Sequence, residues 1–216
     1  MTTNEYAATH PAPDSMVRAA GVAAILGGCM ATLAAVLLAL QPAGCIGAEC
    51  STRPMRTTPP DIVATGVMAT ALIMIGLFGL TRLATRTGKD HRLARSARIC
   101  GAIGVMVLFA GMLVQATIFR GDMFLMPVVV AVGGLLTLAS LALLVTLVFR
   151  TRALPRRLTS ALGASCVLLA ALNEQTAAIL FTVPFALTMV AIGVLMVASP
   201  PTDARTPVRR RASWVR

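Results

Sequence analysis

Cysteine and histidine are the side chains of this chain that most readily do nucleophilic, redox or metal chemistry, and their spacing narrows what that chemistry is. There are five cysteines and two histidines. Cys45 and Cys50 form the close pair, in the stretch PAGCIGAEC. Membrane thiol oxidoreductases that feed electrons to quinone need a reactive pair, commonly Cys-x-x-Cys, and a second relay pair. The spacing here is Cys-x4-Cys, with no second pair in the same kind of segment, so the expected use is a structural disulfide between Cys45 and Cys50. Cys29 and Cys166 fall inside long apolar runs, and Cys100 opens a third. Both histidines, His10 and His91, sit in polar stretches, which leaves no imidazole inside an apolar run to ligate haem or a metal. The twelve methionines are scattered, with Met123 and Met126 close together, and read as apolar filler rather than a soft-metal relay. Gly163-Ala164-Ser165 lacks the flanks of a nucleophile elbow and a partner histidine. The sequence therefore assigns no catalytic residue, no metal site and no cofactor.

The elements that must position these residues are apolar spans. Hydrophobic residues make up 57% of the 216, charged residues 12%, and the mean hydropathy is +0.82. Soluble domains average about 45–50% and about 25% on the first two measures, so the composition excludes a water-exposed fold. The net charge of +11 does not point to nucleic acid, because the cations lie in short segments between apolar runs and in one tail. The densest such segment, RLATRTGKDHRLARSAR (82–98), carries six cations and one acid. Lys and Arg resist translocation, so a basic segment between two spans is held in the cytoplasm. Eighteen of the nineteen cations are Arg, which with the Ala and Val richness points to a GC-rich bacterial genome and hence to a bacterial cytoplasmic membrane.

Spans of about 20 apolar residues cross a bilayer core. Six runs are expected to do so: 19–41, 62–80, 99–119, 123–149, 158–172 and 177–199. The fold class is therefore all-α, a polytopic bundle of six transmembrane helices with both termini inside. Residues 1–15 are expected to be a disordered cytoplasmic tail and 200–216 a basic one. Leu26-Gly27-Gly28-Cys29 resembles a lipoprotein cleavage box, but an apolar run follows the cysteine, so an uncleaved anchor is expected. The loop 42–60 is rich in proline and glycine and should cap the outer side. Arg120-Gly121-Asp122 and Asn173–Thr176 read as tight outer turns, the first making spans three and four antiparallel neighbours. Pro184 is expected to kink span six. Small residues recur at helix-packing spacing (Ala20, Ala24 and Gly28; Gly104 and Gly111; Gly133 and Gly134) and suit close packing inside the bundle.

With no ionisable residue in the middle of any span, ion-coupled transport loses its usual pointer. Polar groups gather at the outer rim instead: Arg53, Arg56, Gln115, Arg120, Asp122, Asn173, Glu174 and Gln175. They are the candidate binding residues, with Arg120 and Glu174 expected to approach each other under the proline-rich loop. Arg210-Arg211-Ala212-Ser213 matches a basophilic phosphorylation site in a tail that should lean on the membrane. The functional reading is a non-enzymatic accessory or scaffold subunit acting through this rim and its basic cytoplasmic face. The alternatives are a small permease for an uncoupled or lipophilic solute and a thiol–quinone oxidoreductase using Cys45 and Cys50. Expected partners are the lipid bilayer, anionic lipid at the basic loops and a further membrane protein.

The six-span reading puts sixteen cations and four acids inside against three cations and four acids outside, net +12 and −1. Reporter fusions after Lys89, Ala153 and Ser213 should therefore report cytoplasm, and fusions after Glu49, Gly121 and Glu174 the outside. An external signal at Lys89 overturns the scheme.

Overall fold

Alanine and glycine on two faces of the first helix set the arrangement of the bundle. The computed structural model describes residues 13–45, 56, 58–85, 90–118 and 125–198. Helix α1 (Pro13–Ala39) is flanked by α2 (Pro60–Thr85) and α6 (Thr182–Ala198). Its Ala20 and Ala24 lie against Gly79 and Gly76 of α2, and its Gly21 and Gly28 lie against the carbonyls of Gly193 and Ala186 of α6. Lipid tails are as apolar as leucine, so burial gives helices in a membrane little reason to associate. Close backbone approach does, through dispersion contacts that only small residues allow. A Cβ at Gly28 would sit 2.5 Å from the Ala186 carbonyl oxygen, so no larger residue fits without parting the helices.

A second unit forms the same way. Helices α3 (His91–Thr117) and α4 (Met126–Thr151) pair antiparallel through Gly101, Gly104, Gly111 and Gly133. Ser140 Oγ also donates to the Ala97 carbonyl across the pair, at 2.6 Å. Gly134, next in sequence, meets nothing within 4 Å. Helix α5 (Arg156–Leu169) packs between α4 and α6. Inner-end residues from every helix, among them Val17, Leu80, Ala94, Leu147, Leu162 and Met196, join one tight core. Outward faces are apolar too: Leu40, Met106 and Val167 are 78%, 71% and 72% exposed, as lipid-facing residues are. Hydroxyls inside the helices are absorbed locally. Those of Thr32, Thr81, Thr137 and Thr188 donate to the carbonyl four residues back at 2.7–2.9 Å.

Among the described residues, five segments are long and apolar enough to cross a membrane: Ser15–Ala39, Pro60–Thr85, His91–Val114, Met126–Thr151 and Ala177–Ala198. The expected span 158–172 is not among them. Helix α5 has 14 residues, about 21 Å at 1.5 Å per residue, against a core of about 30 Å. Its α-helical bonding ends at Leu169, after which the N–H groups of Ala170, Ala171 and Leu172 bond to the carbonyls three residues back in a tightened last turn. The segment 82–98 is not a loop in its described parts. Helix α2 runs to Thr85 and α3 starts at His91, since alanine and arginine favour helix and arginine can extend its head group into water. The expected turn Arg120-Gly121-Asp122 lies outside the described residues, which place the end of α3 at Thr117 and the start of α4 at Met126. Helix α1 starts at Pro13, inside the stretch expected to be tail. Pro184 makes no kink in mid-helix. Ala177–Phe181 is a 3-10 helix, α6 begins at Thr182, and Pro184 falls in its first turn, where its missing N–H costs nothing.

Two glycine-to-alanine substitutions should have opposite signs. Gly28→Ala should lower thermal stability in detergent by about 1–3 kcal/mol, through overpacking against α6. Gly66→Ala, where nothing lies within 4 Å, should be neutral or stabilising by up to about 1 kcal/mol. Equal melting shifts in both variants would rule out close approach as the organising contact.

Candidate functional site

The ends of α1, α2 and α5 away from the basic segments, expected to be the outer ones, are tied together by one arginine. Arg56, four residues before α2, donates from Nε to the Pro42 carbonyl (2.9 Å), from Nη1 to the Glu174 carbonyl (2.8 Å) and from Nη2 to the Gln41 carbonyl (3.1 Å). Its backbone N–H donates to Gln175 Oε1 at 2.9 Å. Gln175 is held in turn. Its carbonyl accepts from the Gly44 N–H and its own N–H donates to Asn173 Oδ1, both at 2.9 Å. Gly44 is needed there, because a Cβ would collide with the Gln175 side chain. The last carbonyls of a helix have no partner within it. A planar guanidinium with five donors suits several such acceptors at once.

This arrangement brings Arg56, Asn173, Glu174 and Gln175 together, but the arginine works inward. Its side-chain donors are committed to backbone carbonyls, and the Glu174 partner is its main-chain oxygen, not its carboxylate. Gln115 lies in the last turn of α3, with its side chain outside the described residues. Arg53, Arg120 and Asp122 also lie outside them, and so does the expected approach of Arg120 to Glu174. Cys45 follows Gly44 and is 2% exposed, while its expected partner Cys50 is outside the described residues. Cys29, Cys100 and Cys166 carry free thiols. No group of three His, Cys, Asp or Glu among the described residues is placed to hold a metal ion.

Below this rim lies a feature the linear pattern did not reveal. A cavity of about 440 Å³ runs between α2 and the α3–α4 pair, and all six helices contribute to its wall. Its lining is almost wholly apolar: Ala31, Ala34 and Ala35 of α1, Gly66, Ala69 and Ile73 of α2, Phe109 and Met112 of α3, Leu141 of α4, Leu169 of α5 and Phe185 of α6. Small residues on α1 and α2 leave the space that larger ones would fill. Glu174 and Thr58 stand at its outer end, and Thr182 lines it. The Thr182 hydroxyl is buried and finds no hydrogen-bond partner, unlike the threonines that bond back along their own helices. A smaller cavity, about 280 Å³, continues toward the basic end and shares Met74, Leu77, Thr137 and Leu141 with the first. An amphipathic face is visible in a sequence. A void is not, because it depends on which small residues of different helices come to one level.

Comparison with protein-family models, curated proteins and solved structures finds no match. The site therefore rests on its own geometry.

Replacing Arg56 tests the clamp. Arg56→Ala should cost about 1 kcal/mol, because the freed carbonyls lie where water can reach them. Arg56→Lys should recover only part of this, since an ammonium cannot span three acceptors. Thermal unfolding, together with protease cleavage of loop 42–60, reads both effects. Wild-type stability and cleavage in Arg56→Ala would show that the clamp carries no weight.

Proposed function

We propose that this multi-pass membrane protein is a small permease that passes an uncharged, lipophilic solute through the crevice between α2 and the α3–α4 pair. The observation that carries the reading is the apolar cavity of about 440 Å³ walled by all six helices, with one unpartnered buried hydroxyl, Thr182 Oγ1. Ligand sites combine an apolar concavity with a few polar groups that fix orientation. Here the wall supplies affinity for a hydrocarbon body, and Thr182 supplies one hydrogen bond to an acceptor group on it. The α3–α4 pair is stitched to itself by glycines, whereas the crevice separates much of it from α2, so the two units are built to part along that line. No span carries a mid-membrane ionisable group, which fits a solute that needs no coupling ion.

Six crossings with both termini in the cytoplasm are part of this reading. The tie between Gly44 and Gln175 brings the end of α5 to the outer end of α1, and α5 itself starts from the basic end at Arg156. A 14-residue helix and the turn after it would together make the remaining crossing. The described arginines favour the same orientation: Arg18, Arg82, Arg92, Arg95, Arg98, Arg150, Arg152, Arg156 and Arg157 lie toward one end and Arg56 toward the other. The scaffold reading draws less support from the rim, because Arg56 already serves its own backbone. Near-complete burial of Cys45 favours a structural disulfide with Cys50 over thiol exchange.

The test is flux of an uncharged lipophilic fluorophore with a carbonyl acceptor into proteoliposomes, with its saturable binding to purified protein. Gly66 lines the cavity and has open space beside it, so Gly66→Phe plugs the cavity without a clash. Flux and binding should fall by about ten-fold or more, the equivalent of about 1.4 kcal/mol. Gly134→Phe, where the added side chain also meets open space but not the cavity, should leave both unchanged. Flux no greater than in empty vesicles, or an unaffected Gly66→Phe, defeats the proposal.

A further inference from the structure

At the opposite end of the crevice two arginines converge on one ring. The guanidinium carbon of Arg82, on α2, lies 5.3 Å from the Phe78 ring centroid, and that of Arg98, on α3, lies 5.8 Å from it. Cations favour aromatic faces, but two like charges beside one ring repel each other unless an anion joins them. Protein supplies none that is described. Arg82 Nη1 meets only the sulfur of Met16, a weak acceptor, and Arg98 Nε donates to the Ala94 carbonyl at a long 3.3 Å. Asp90 forms no ion pair among the described residues, and Asp14, at the same end in the first turn of α1, has its side chain outside them. The neighbouring residues 86–89 add two cations and no acid. Both arginines are exposed, so most of the ten N–H donors on the two guanidiniums are open to whatever lies beside the protein at this end.

Phe78 and Arg98 also line the inner cavity of about 280 Å³, whose other walls include Met74, Leu77, Ala102 and Leu144. A slot lined by aliphatic carbon starts where the charge is. Head-group depth, two adjacent guanidiniums and an apolar slot leading from them are the requirements of one molecule with an anionic phosphate and a hydrocarbon chain. We propose that Arg82 and Arg98 bind the phosphate of an anionic glycerophospholipid of the cytoplasmic leaflet, with one acyl chain lying in the inner cavity between α2, α3 and α4. Arginine binds phosphate through paired donors, and a free phosphate in water would leave the slot unfilled, which is why the lipid is the occupant. The site does not depend on the solute assigned to the outer cavity.

Native mass spectrometry of the full-length protein, released from neutral detergent, tests this with dioleoylphosphatidylglycerol, dioleoylphosphatidylcholine and free glycerol phosphate. The anionic lipid should be retained in preference to the zwitterionic one. Arg82→Gln and Arg98→Gln should each reduce that preference by about five-fold, the worth of one interfacial cation, and together abolish it. Ala102→Phe, which fills the slot, should weaken retention of both lipids. Arg156→Gln with Arg157→Gln, at the same end on α5, should change nothing, and so should the Gly66→Phe plug of the outer cavity. Melting in neutral detergent verifies that each variant is folded. The proposal fails if the double variant of Arg82 and Arg98 keeps the preference, or if the α5 pair matters as much. It also fails if Ala102→Phe is silent or if glycerol phosphate alone displaces the lipid at equal concentration.

Discussion

Backbone approach between α1 and its two neighbours is the contact on which the rest depends. Within a bilayer, helices cannot be driven together by excluding water, so adhesion falls to dispersion and to hydrogen bonds that survive among hydrocarbon. Helix α1 meets this constraint on two sides, with alanines turned to the glycines of α2 and glycines turned to the carbonyls of α6. Those contacts fix the depth of α2 and α6, and with it the level at which Ala31, Ala34 and Ala35 face Gly66 and Ala69. The hollow is a by-product of the same economy of size. Residues small enough to let backbones touch at one level leave space at another.

The bundle consequently has two mechanical halves. Helices α1, α2 and α6 form one, the α3–α4 pair forms the other, and α5 packs against members of both. At the basic end their side chains interdigitate around Leu80, Ala94, Leu147 and Leu162, all fully buried. Toward the rim the halves are separated by the cavity, and the tie at Arg56 joins only α1, α2 and the turn after α5. Between the two halves at that level lies the apolar wall of the cavity.

Much of this was legible in residue order, and the failures have identifiable causes. The long spans follow from unbroken apolar runs, and the packing role of Ala20, Ala24, Gly104 and Gly133 follows from their spacing. Helix boundaries were harder to read. Hydropathy marks where a chain is apolar, so it cut α3 at Ile99, although Ala94, Arg95 and Arg98 belong to the same helix, Ala94 in the core and the two arginines with their charged heads toward water. It carried span five through Leu172, although the α-helix ends at Leu169 and Ala170–Leu172 continue only as a tighter turn with bonds three residues back. The rim was legible as a set of polar residues but not in its direction. Arg56 reads as a cation awaiting an anion, whereas the unsatisfied carbonyls at the end of α1 and near Gln175 claim it first. Thr182 gave no signal, because an orphaned hydroxyl is a property of neighbours supplied by other helices.

The brevity of α5 has a consequence for the membrane rather than for the protein. Its helix is about 9 Å shorter than a standard hydrocarbon core. Yet Val167 near its end is 72% exposed, so this stretch of the perimeter shows lipid a low apolar wall. Helices α2, α3 and α4 have 26 or 27 residues. A single bilayer cannot match both heights, and mismatch costs a fraction of a kcal/mol for each ångström. In the six-crossing reading, lipids beside α5 are drawn thin while those beside α3 and α4 stay at full thickness. That reading gives the protein a lopsided collar of lipid, for which a bilayer thinner than average suits one side as a thicker one suits the other.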